Sequence, residues 1–174
     1  MPSVYLLSGP AGVGKSTTSK ALARTLKNSA YISGDDVSHM HKNGRRKPWE
    51  SELELSLIWN NISSLTQNFI SNGTDVVIDY VTFPREAYWL KERLKAFSAE
   101  VVYTVLWVDA ETLLSRDRLR QPEHQMGERC LILIEEFKAS GLDTKHLLDT
   151  SRNRVDAIEL VIQEIVSNER YRLG

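Results

Sequence analysis

The feature that most constrains this chain is a glycine-rich loop between an apolar run and a helical segment. Residues 9 to 17 read GPAGVGKST and directly follow the run VYLLS. The pattern G-x-x-x-x-G-K-[ST] is met by Gly9, Gly14, Lys15 and Ser16. A strand, a tight glycine turn and a helix start, in that order, aim backbone N–H groups at phosphate oxygens. The sequence therefore predicts a phosphate-binding loop between a first strand and a first helix.

Each part of this loop has a predicted role in holding a nucleotide. Lys15 is expected to neutralise the β- and γ-phosphates, and the Ser16 hydroxyl is expected to ligate Mg²⁺. The alternative is a glycine-rich turn that carries a solvent-exposed lysine. The residues predicted to contact the nucleotide are Gly9, Pro10, Ala11, Gly12, Val13, Gly14, Lys15, Ser16 and Thr17.

Composition limits the remaining function classes. A chain of 174 residues that is 41% hydrophobic is expected to form one domain over residues 1–174. Its formal net charge of −1 makes nucleic acid an improbable partner. No apolar run approaches the roughly 18 residues of a membrane span. Cys130 is the single cysteine, which excludes an internal disulfide and agrees with a cytoplasmic location. Oligomeric state cannot be read from the sequence.

Apolar runs of strand length alternate with segments of helical period. Because such strands are nearly all apolar, the pattern predicts an α/β fold of three layers, with a parallel sheet covered on both faces. The predicted strands are Ser3–Ser8, Ala30–Ser33, Asp75–Val81, Glu100–Asp109 and a weak one near 146–148. The predicted helices cover Lys15–Lys27, Asp36–His41, Glu50–Ser71, Pro84–Ser98, about 110–118, a stretch ending near 140, and about 154–170.

Carboxylates follow the predicted strands at positions suited to metal binding and proton transfer. Asp79 ends the run DVVID and is the candidate magnesium ligand, with a turn cap as the alternative. Asp109 ends the next strand, where helix capping is favoured. Asp35 is preferred over Asp36 as the base that accepts a proton from an attacking hydroxyl, with a helix N-cap as the alternative role for one of the two.

Arginines precede a polar segment in LLSRDRLRQPEHQMG. On a helix, Arg116 and Arg120 share a face while Arg118 points elsewhere. We expect Arg116 near the nucleotide, Arg120 on the phosphates as a catalytic residue, and a mobile lid over about 119–128. A solvated charged face followed by a loop is the alternative.

The acceptor of the phosphoryl group is predicted to bind within about 36–72. The tract HKNGRRKPWE places basic residues beside an aromatic ring, which suits an anionic or planar molecule, although such runs are more often solvated loops. Tyr80 follows Asp79 directly and is a further candidate. Trp59, Trp89 and Trp107 lie in apolar patterns and are expected to pack in the core. The candidate acceptor residues are Asp35, Asp36, Arg45, Arg46, Trp49 and Tyr80.

With these motifs, the chain resembles the small P-loop kinases: gluconate and shikimate kinases, chloramphenicol phosphotransferase, zeta-type toxins and polynucleotide kinases. The resemblance implies a five-stranded parallel sheet in the order 2-3-1-4-5 with ATP on the first loop. It also implies an acceptor-side aspartate at Asp35, a lid arginine at Arg120 and an adenine-flanking arginine at Arg116. Residues 149–154 resemble the segment beside the adenine, with Thr150 and Ser151 as candidate contacts.

Three function classes follow from these features. The first is an ATP- and Mg²⁺-dependent kinase that acts on a hydroxyl of a small molecule. The second is a kinase that acts on a nucleotide or a nucleic-acid end, which requires a basic groove near the acceptor. The third is a regulatory NTPase, which requires a residue that orients water. ATP is favoured over GTP because the sequence contains no Asn-Lys-x-Asp signature.

Overall fold

A five-stranded parallel sheet forms the centre of the fold. The computed structural model describes residues 1–119, 121–122, 125–151 and 157–174. The strands pair in the order β2-β3-β1-β4-β5, so the predicted α/β fold and strand order are confirmed. The strands are β1 (Ser3–Ser8), β2 (Ser29–Ser33), β3 (Asp75–Asp79), β4 (Glu100–Trp107) and β5 (Leu147–Asp149).

Helices connect the strands and cover both faces of the sheet. Short 3₁₀ turns cover Lys95–Phe97, Thr144–His146 and Glu169–Tyr171. In the ranges that the structure describes, no helix has the length and apolar content needed to cross a membrane. The helices are α1 (Lys15–Thr25), α2 (Gly34–Met40), α3 (Glu52–Ser71), α4 (Pro84–Leu94), α5 (Ala110–Arg118), α6 (Glu128–Ala139) and α7 (Ile158–Ser167).

The alternation of side chains along β1 divides the core into two layers. Val4 and Leu6 face the layer under α2, α3 and α4, whereas Tyr5 and Leu7 face the layer under α1, α5 and α7. Trp59 is buried in the first layer, and Trp89 and Trp107 pack against it, as the apolar pattern predicts. The sheet is thus held on both faces, and its carboxyl edge is left to carry polar residues.

Several predicted boundaries are wrong at the ends of elements. The helix expected from Asp36 begins at Gly34, because Ser33 is the N-cap and its hydroxyl accepts a hydrogen bond from the Asp36 N–H at 3.1 Å. Neither aspartate therefore caps α2, so the capping alternative for Asp35 and Asp36 is wrong. β3 ends at Asp79 rather than Val81, and β4 ends at Trp107. The predicted start of the last helix near 154 lies outside the described residues.

Candidate functional site

Three strand ends meet at the carboxyl edge of the sheet. In the register of the sheet, Asp79 is level with Leu7 on one side and with Ser33 on the other. The glycine-rich loop leaves β1 two residues after Leu7, and Asp35 follows β2 by two residues. The edge therefore brings together the loop, Asp79 and Asp35, which are far apart in sequence. Ligands of open α/β sheets bind at this edge.

The loop owes its shape to glycines in the left-handed region. Gly9, Gly12 and Gly14 have φ values of 136°, 86° and 101°. A Cβ atom at Gly9 would also lie 2.4 Å from the Leu106 carbonyl oxygen, so no other residue fits there without movement of the backbone. Gly14 caps α1, whose first N–H groups have no partner within the helix and point outward for an anion.

Lys15 lies against the loop that precedes it. Its Nζ donates to the carbonyl oxygens of Gly9 and Pro10 at 2.8 and 3.0 Å. Ser16 and Thr17 are exposed in the first turn of α1, which makes their hydroxyls accessible. From α5, the Nη1 of Arg116 donates to the Val13 carbonyl at 3.3 Å. The structure thus places Arg116 beside the phosphate loop, where the sequence predicts it.

Asp79 is a buried carboxylate with a partner that sequence reasoning missed. Only 6% of the residue is exposed, and its Oδ2 accepts a hydrogen bond from the Tyr31 hydroxyl of β2 at 2.8 Å. Burial, and then the bond to Asp79, raises the pKa of Tyr31, so this phenol stays protonated and remains a donor. The polar residue within the short strand SAYIS is the signal that could have identified Tyr31.

Asp35 lies in the first turn of α2 and reaches solvent. Loss of hydration at the edge raises the pKa of its carboxyl, Lys15 opposes that rise, and Asp79 adds to it. Lys15 and Asp79 both act on the Asp35 carboxyl, and the three residues come from three different elements. Asp36 is the next residue and is also exposed. Among the hydrogen bonds of the described residues, Asp36 takes part through its backbone N–H and not through its carboxylate.

Tyr80 packs against the start of α2 because residue 34 is glycine. A Cβ atom at Gly34 would lie 2.2 Å from the Tyr80 ring, so this close approach excludes any side chain there. Tyr80 is 6% exposed. Burial raises the pKa of its hydroxyl, the nearby Asp35 raises it further, and Arg45 acts in the opposite direction. The Tyr80 phenol is thus neutral and adjacent to the predicted base.

The loop that carries Tyr80 is anchored to β1 and β4. The Thr82 N–H donates to the Ser8 hydroxyl at 2.8 Å, and the Ser8 hydroxyl donates to the Thr82 carbonyl at 2.7 Å. The Tyr103 hydroxyl donates to the same carbonyl at 2.7 Å. All three residues are fully buried. Sequence reasoning missed this anchor because its partners are separated by 74 and 21 residues.

A cleft of about 270 Å³ opens between α2 and α3, inside the predicted acceptor region. Its most unusual member is Glu54, which is 5% exposed on the otherwise apolar face of α3. Glu54 is four residues before Ile58 and so lies on the buried face of α3. An acidic residue at a buried helical position is the signal that sequence reasoning missed. The α2–α3 cleft is lined by Val37, Ser38, Met40, His41, Glu54, Leu57, Ile58 and Asn61.

Glu54 is held by the loop between α2 and α3. His41 Nδ1 lies 2.9 Å from Oε1 and 3.0 Å from Oε2, and the Arg46 N–H donates to Oε2 at 3.3 Å. These hydrogen bonds, that of His41 first, lower the pKa of Glu54, and nearby Arg45 lowers it further. Glu54 is therefore ionised at neutral pH.

The predicted basic and aromatic cluster is brought together only in part. The Lys47 ammonium lies 5.7 Å from the centroid of the Trp49 ring, and the Arg129 guanidinium of α6 lies 5.3 Å from it. The Nε of Arg45 donates instead to the carbonyl and hydroxyl of Ser38 at 3.1 and 3.0 Å. The Arg46 N–H donates to Glu54, and the Arg46 side chain is exposed.

The segment predicted as a lid is fixed at its two ends by one carboxylate. Asp117 is 3% exposed, and its Oδ2 accepts from the N–H groups of Met126 and Gly127 at 3.1 and 2.8 Å. These hydrogen bonds hold the residues directly before α6. Sequence reasoning missed them, although Asp117 lies four residues after Leu113 and therefore on the same buried face of α5. Arg120, the predicted catalytic arginine, lies outside the described residues.

The segment after β5 closes against the end of β4. The Thr150 N–H donates to the Trp107 carbonyl at 2.8 Å, and the Asp109 N–H donates to the Ser151 hydroxyl at 3.3 Å. Asp109 caps α5 by accepting from the Thr112 N–H at 2.8 Å, which confirms the predicted cap. Thr150 and Ser151 thus lie at the same edge as the phosphate loop, whereas residues 152–154 of the predicted adenine segment lie outside the described residues.

With this geometry established, comparison with known proteins identifies the family. Residues 4–138 match the model of the AAA_33 family, described as an AAA domain. The chain belongs to this family. The match covers β1 through α6, which includes the phosphate loop, both edge carboxylates and the α2–α3 cleft. No curated protein matches the chain significantly in sequence.

Solved structures with the same fold as this AAA_33 chain include several kinases. A gluconokinase from Sinorhizobium meliloti 1021 is 17% identical with a TM-score of 0.62, over 95% of this chain and 90% of that one. The APS kinase of Mycobacterium tuberculosis in complex with AMPPNP and APS is 14% identical with a TM-score of 0.63, over 95% of each chain. The tunicamycin resistance protein of Deinococcus radiodurans is 17% identical with a TM-score of 0.61, over 96% of each chain. The fold of the AAA_33 chain is therefore that of the P-loop kinases.

Proposed function

We propose that this protein is an ATP- and Mg²⁺-dependent kinase that transfers the γ-phosphate to a hydroxyl of a small molecule. The observation that carries the proposal is the meeting of strand ends that brings the phosphate loop, Asp79 and Asp35 to one edge of the sheet. A phosphate cradle alone would serve any NTPase. Asp35, in the first turn of α2 directly after the second strand, adds a carboxylate at that edge as the proton acceptor that transfer to a hydroxyl requires.

The proposed reaction is an in-line displacement at the γ-phosphorus. The acceptor oxygen forms a bond to phosphorus while the bond to the β–γ bridging oxygen breaks, and ADP leaves with that electron pair. The hydroxyl proton passes to the Asp35 carboxylate. The raised pKa of Asp35 makes it a better proton acceptor than an ordinary aspartate. Lys15 offsets negative charge on the phosphates, and Arg120 is proposed to do so from the lid.

Residues at the edge fit a hard cation that prefers oxygen ligands. The Ser16 hydroxyl and Asp79 would hold Mg²⁺, and the bond from Tyr31 to Oδ2 orients the Asp79 carboxylate. Among the described residues, no group of three or more His, Cys, Asp or Glu side chains could hold a metal ion without other ligands. Magnesium usually takes one or two protein ligands together with phosphates and water. When bound, it supplies charge neutralisation on the phosphates.

Replacement of Asp35 by asparagine tests the proposal directly. Asp35→Asn keeps the shape of the side chain and removes the proton acceptor, so we expect unchanged ATP affinity and a fall in kcat of about a hundredfold or more. Glu92→Gln, which removes an exposed carboxylate near the end of α4, is the control and should stay within about twofold. Full activity of Asp35→Asn would remove Asp35 as the base.

The pH profile of the wild-type enzyme gives a second test of the same residue. Asp35 acts in its ionised form, so kcat/KM should fall as the pH drops through its pKa. Because that pKa is raised above the ordinary value of 3.8, the acid limb should lie at a higher pH than an unperturbed aspartate would give. An acid limb at or below 3.8 would contradict the role of Asp35.

A screen for stimulated ADP release separates this proposal from a regulatory NTPase. A kinase releases ADP in proportion to acceptor and yields a phosphorylated product, whereas an NTPase releases ADP and inorganic phosphate without any acceptor. A nucleic-acid-end kinase would respond to RNA or DNA ends. The local pairing of Lys47 with Glu50 and of Arg45 with Ser38 gives little support to that class.

A further inference from the structure

Arg45 is fastened to α2 one helical turn from the proposed base. Its Nε donates to both the carbonyl and the hydroxyl oxygen of Ser38, at 3.1 and 3.0 Å. Ser38 is buried and lies three residues after Asp35 on α2. On a helix this spacing places the two Cβ atoms about 5 to 6 Å apart. Hydrogen bonds and helix geometry thus hold the guanidinium group close to Asp35.

The bonds to Ser38 leave the outer edge of the guanidinium group open. A guanidinium has five N–H donors, and Arg45 uses the one on Nε for Ser38. Among the described residues, no hydrogen bond or ion pair engages Nη1 or Nη2 of Arg45, although the residue is half-buried. These two nitrogens present parallel donors that match the two oxygens of a carboxylate or a phosphate.

The neighbouring carboxylate of Glu54 has other partners. Its Oε1 lies 2.9 Å from His41 Nδ1, and its Oε2 accepts from the Arg46 N–H at 3.3 Å. His41 contributes most to the lowered pKa of Glu54, whereas Arg45 contributes least of the groups that lower it. Arg45 is therefore a cation that is fixed in place without a carboxylate paired to it in the described part of the chain.

Tyr80 lies beside the same turn of α2. A Cβ atom at Gly34 would lie 2.2 Å from the Tyr80 ring, so this ring packs directly against the residue before Asp35. Burial raises the pKa of the Tyr80 hydroxyl, Asp35 raises it further and Arg45 lowers it, which agrees with a position near both groups. The open edge of Arg45 and the proposed base thus belong to one region of the surface.

We propose that Arg45 determines the acceptor class, which is a small molecule that carries a carboxylate or phosphate group as well as the reacting hydroxyl. The anionic group binds to Nη1 and Nη2 of Arg45, and the hydroxyl lies at Asp35. The inference rests on the proposed function, because it names the class of molecule that the kinase phosphorylates. A single fixed guanidinium fits one anionic group, whereas a nucleic-acid strand requires a basic groove that contacts several phosphates.

Two matched pairs of acceptors test the class. Gluconate and sorbitol differ in a carboxylate, and glycerol phosphate and glycerol differ in a phosphate. ADP release and phosphorylated product are measured for each with the wild-type protein, ATP and Mg²⁺. We expect kcat/KM to be at least about tenfold higher for the anionic member in at least one pair, and that pair identifies the anionic group. A preference for the anionic member in neither pair would overturn the inference and leave the kinase proposal standing.

Arg45→Gln and Lys42→Gln provide a matched pair of variants. Both remove one positive charge from the loop between α2 and α3, and Lys42 is exposed. Arg45→Gln should lower kcat/KM for the preferred anionic acceptor about tenfold or more and change that of its neutral counterpart by less than about twofold. Lys42→Gln should change neither by more than about twofold. An equal fall for both acceptors in Arg45→Gln would show that Arg45 only anchors the loop, which overturns the inference.

Failure of the proposed function gives a different result. If the protein binds ATP but no acceptor of either charge raises ADP release or yields a phosphorylated product, the kinase proposal falls and this inference falls with it. The highest kcat/KM with an RNA oligonucleotide that has a free hydroxyl end would overturn the inference in favour of a nucleic-acid end. If Arg45→Gln lowers Tm because its bonds to Ser38 are lost, the two acceptor pairs decide the question with the wild-type protein.

Discussion

The two halves of the candidate site are built by different means. The nucleotide half, which comprises residues 9–17, depends on backbone conformation: three glycines have positive φ and the start of α1 offers its N–H groups. The acceptor half, which comprises Asp35, Tyr80 and the α2–α3 cleft, depends on side chains that come from four separate segments. Phosphate can be held by a backbone loop that P-loop proteins share, whereas an acceptor must be distinguished from other molecules by particular side chains.

This difference explains where substitutions should act. Changes in the nucleotide half should affect every substrate pair equally, because ATP is common to all of them. Changes in the acceptor half should alter KM and kcat for the acceptor while ATP affinity stays the same. The predictions below test whether the two halves separate in this way.

Loss of Lys15 should have the largest effect. Lys15→Ala removes the one ammonium group that the loop holds against its own carbonyls, and charge on the transferring phosphate would lose its partner. We expect kcat to fall by about a thousandfold. Arg24→Ala, an exposed residue later on α1, should stay near wild-type activity. Steady-state ADP release measures both, and more than a tenth of wild-type kcat in Lys15→Ala would refute the role of Lys15.

Two glycine substitutions test the separation of the halves directly. A Cβ at Gly9 meets the Leu106 carbonyl, and a Cβ at Gly34 meets the Tyr80 ring. Gly9→Ala should weaken ATP binding about tenfold or more, whereas Gly34→Ala should keep ATP affinity and lower kcat/KM for the acceptor about tenfold. Calorimetric titration with ATP and acceptor kinetics distinguish them. If Gly34→Ala weakens ATP binding as strongly as Gly9→Ala, the two halves are not separate.

Removal of the Tyr31 hydroxyl should have a smaller effect, limited to the metal. Tyr31→Phe leaves Asp79 in place but removes the hydrogen bond at 2.8 Å that orients it. Loss of such a partner usually costs tenfold to about a hundredfold in metal affinity, so the half-saturating Mg²⁺ concentration should rise about tenfold. Tyr88→Phe, which changes an exposed hydroxyl on α4, is the control. An unchanged half-saturating Mg²⁺ concentration would contradict the proposal that Asp79 helps to hold the metal.

The apolar runs were sufficient to predict the parallel sheet, and the resemblance to P-loop kinases implied its strand order. Each strand is a short apolar run bounded by turn residues, and burial on both faces leaves little ambiguity about its type. Element ends were less predictable. Ser33 caps α2 although Asp35 and Asp36 are equally good N-caps by residue type, because the position of the cap depends on where β2 ends.

The two halves of the site also differed in how much the sequence could predict. The phosphate loop is contiguous, so its spacing alone placed Gly9, Gly14 and Lys15. Glu54, His41 and Tyr80 meet only through the packing of α2 against α3 and β3, and their separation in sequence carries no signal of it. Of the basic residues predicted beside Trp49, Lys47 lies over its ring, whereas Arg45 bonds to Ser38 of α2 and the ring also contacts Arg129 of α6, which the sequence does not indicate.

The contact of Asp117 with Met126 and Gly127 has a consequence for variation in this protein. One carboxylate closes the chain between α5 and α6 into a small loop whose base stays the same whatever lies inside it. The entropy of closing a loop grows slowly with its length, and each doubling costs only about 0.6 kcal/mol. The length of the chain between these ends can therefore change at little cost to stability, provided that Asp117 keeps its contacts with the N–H groups of Met126 and Gly127.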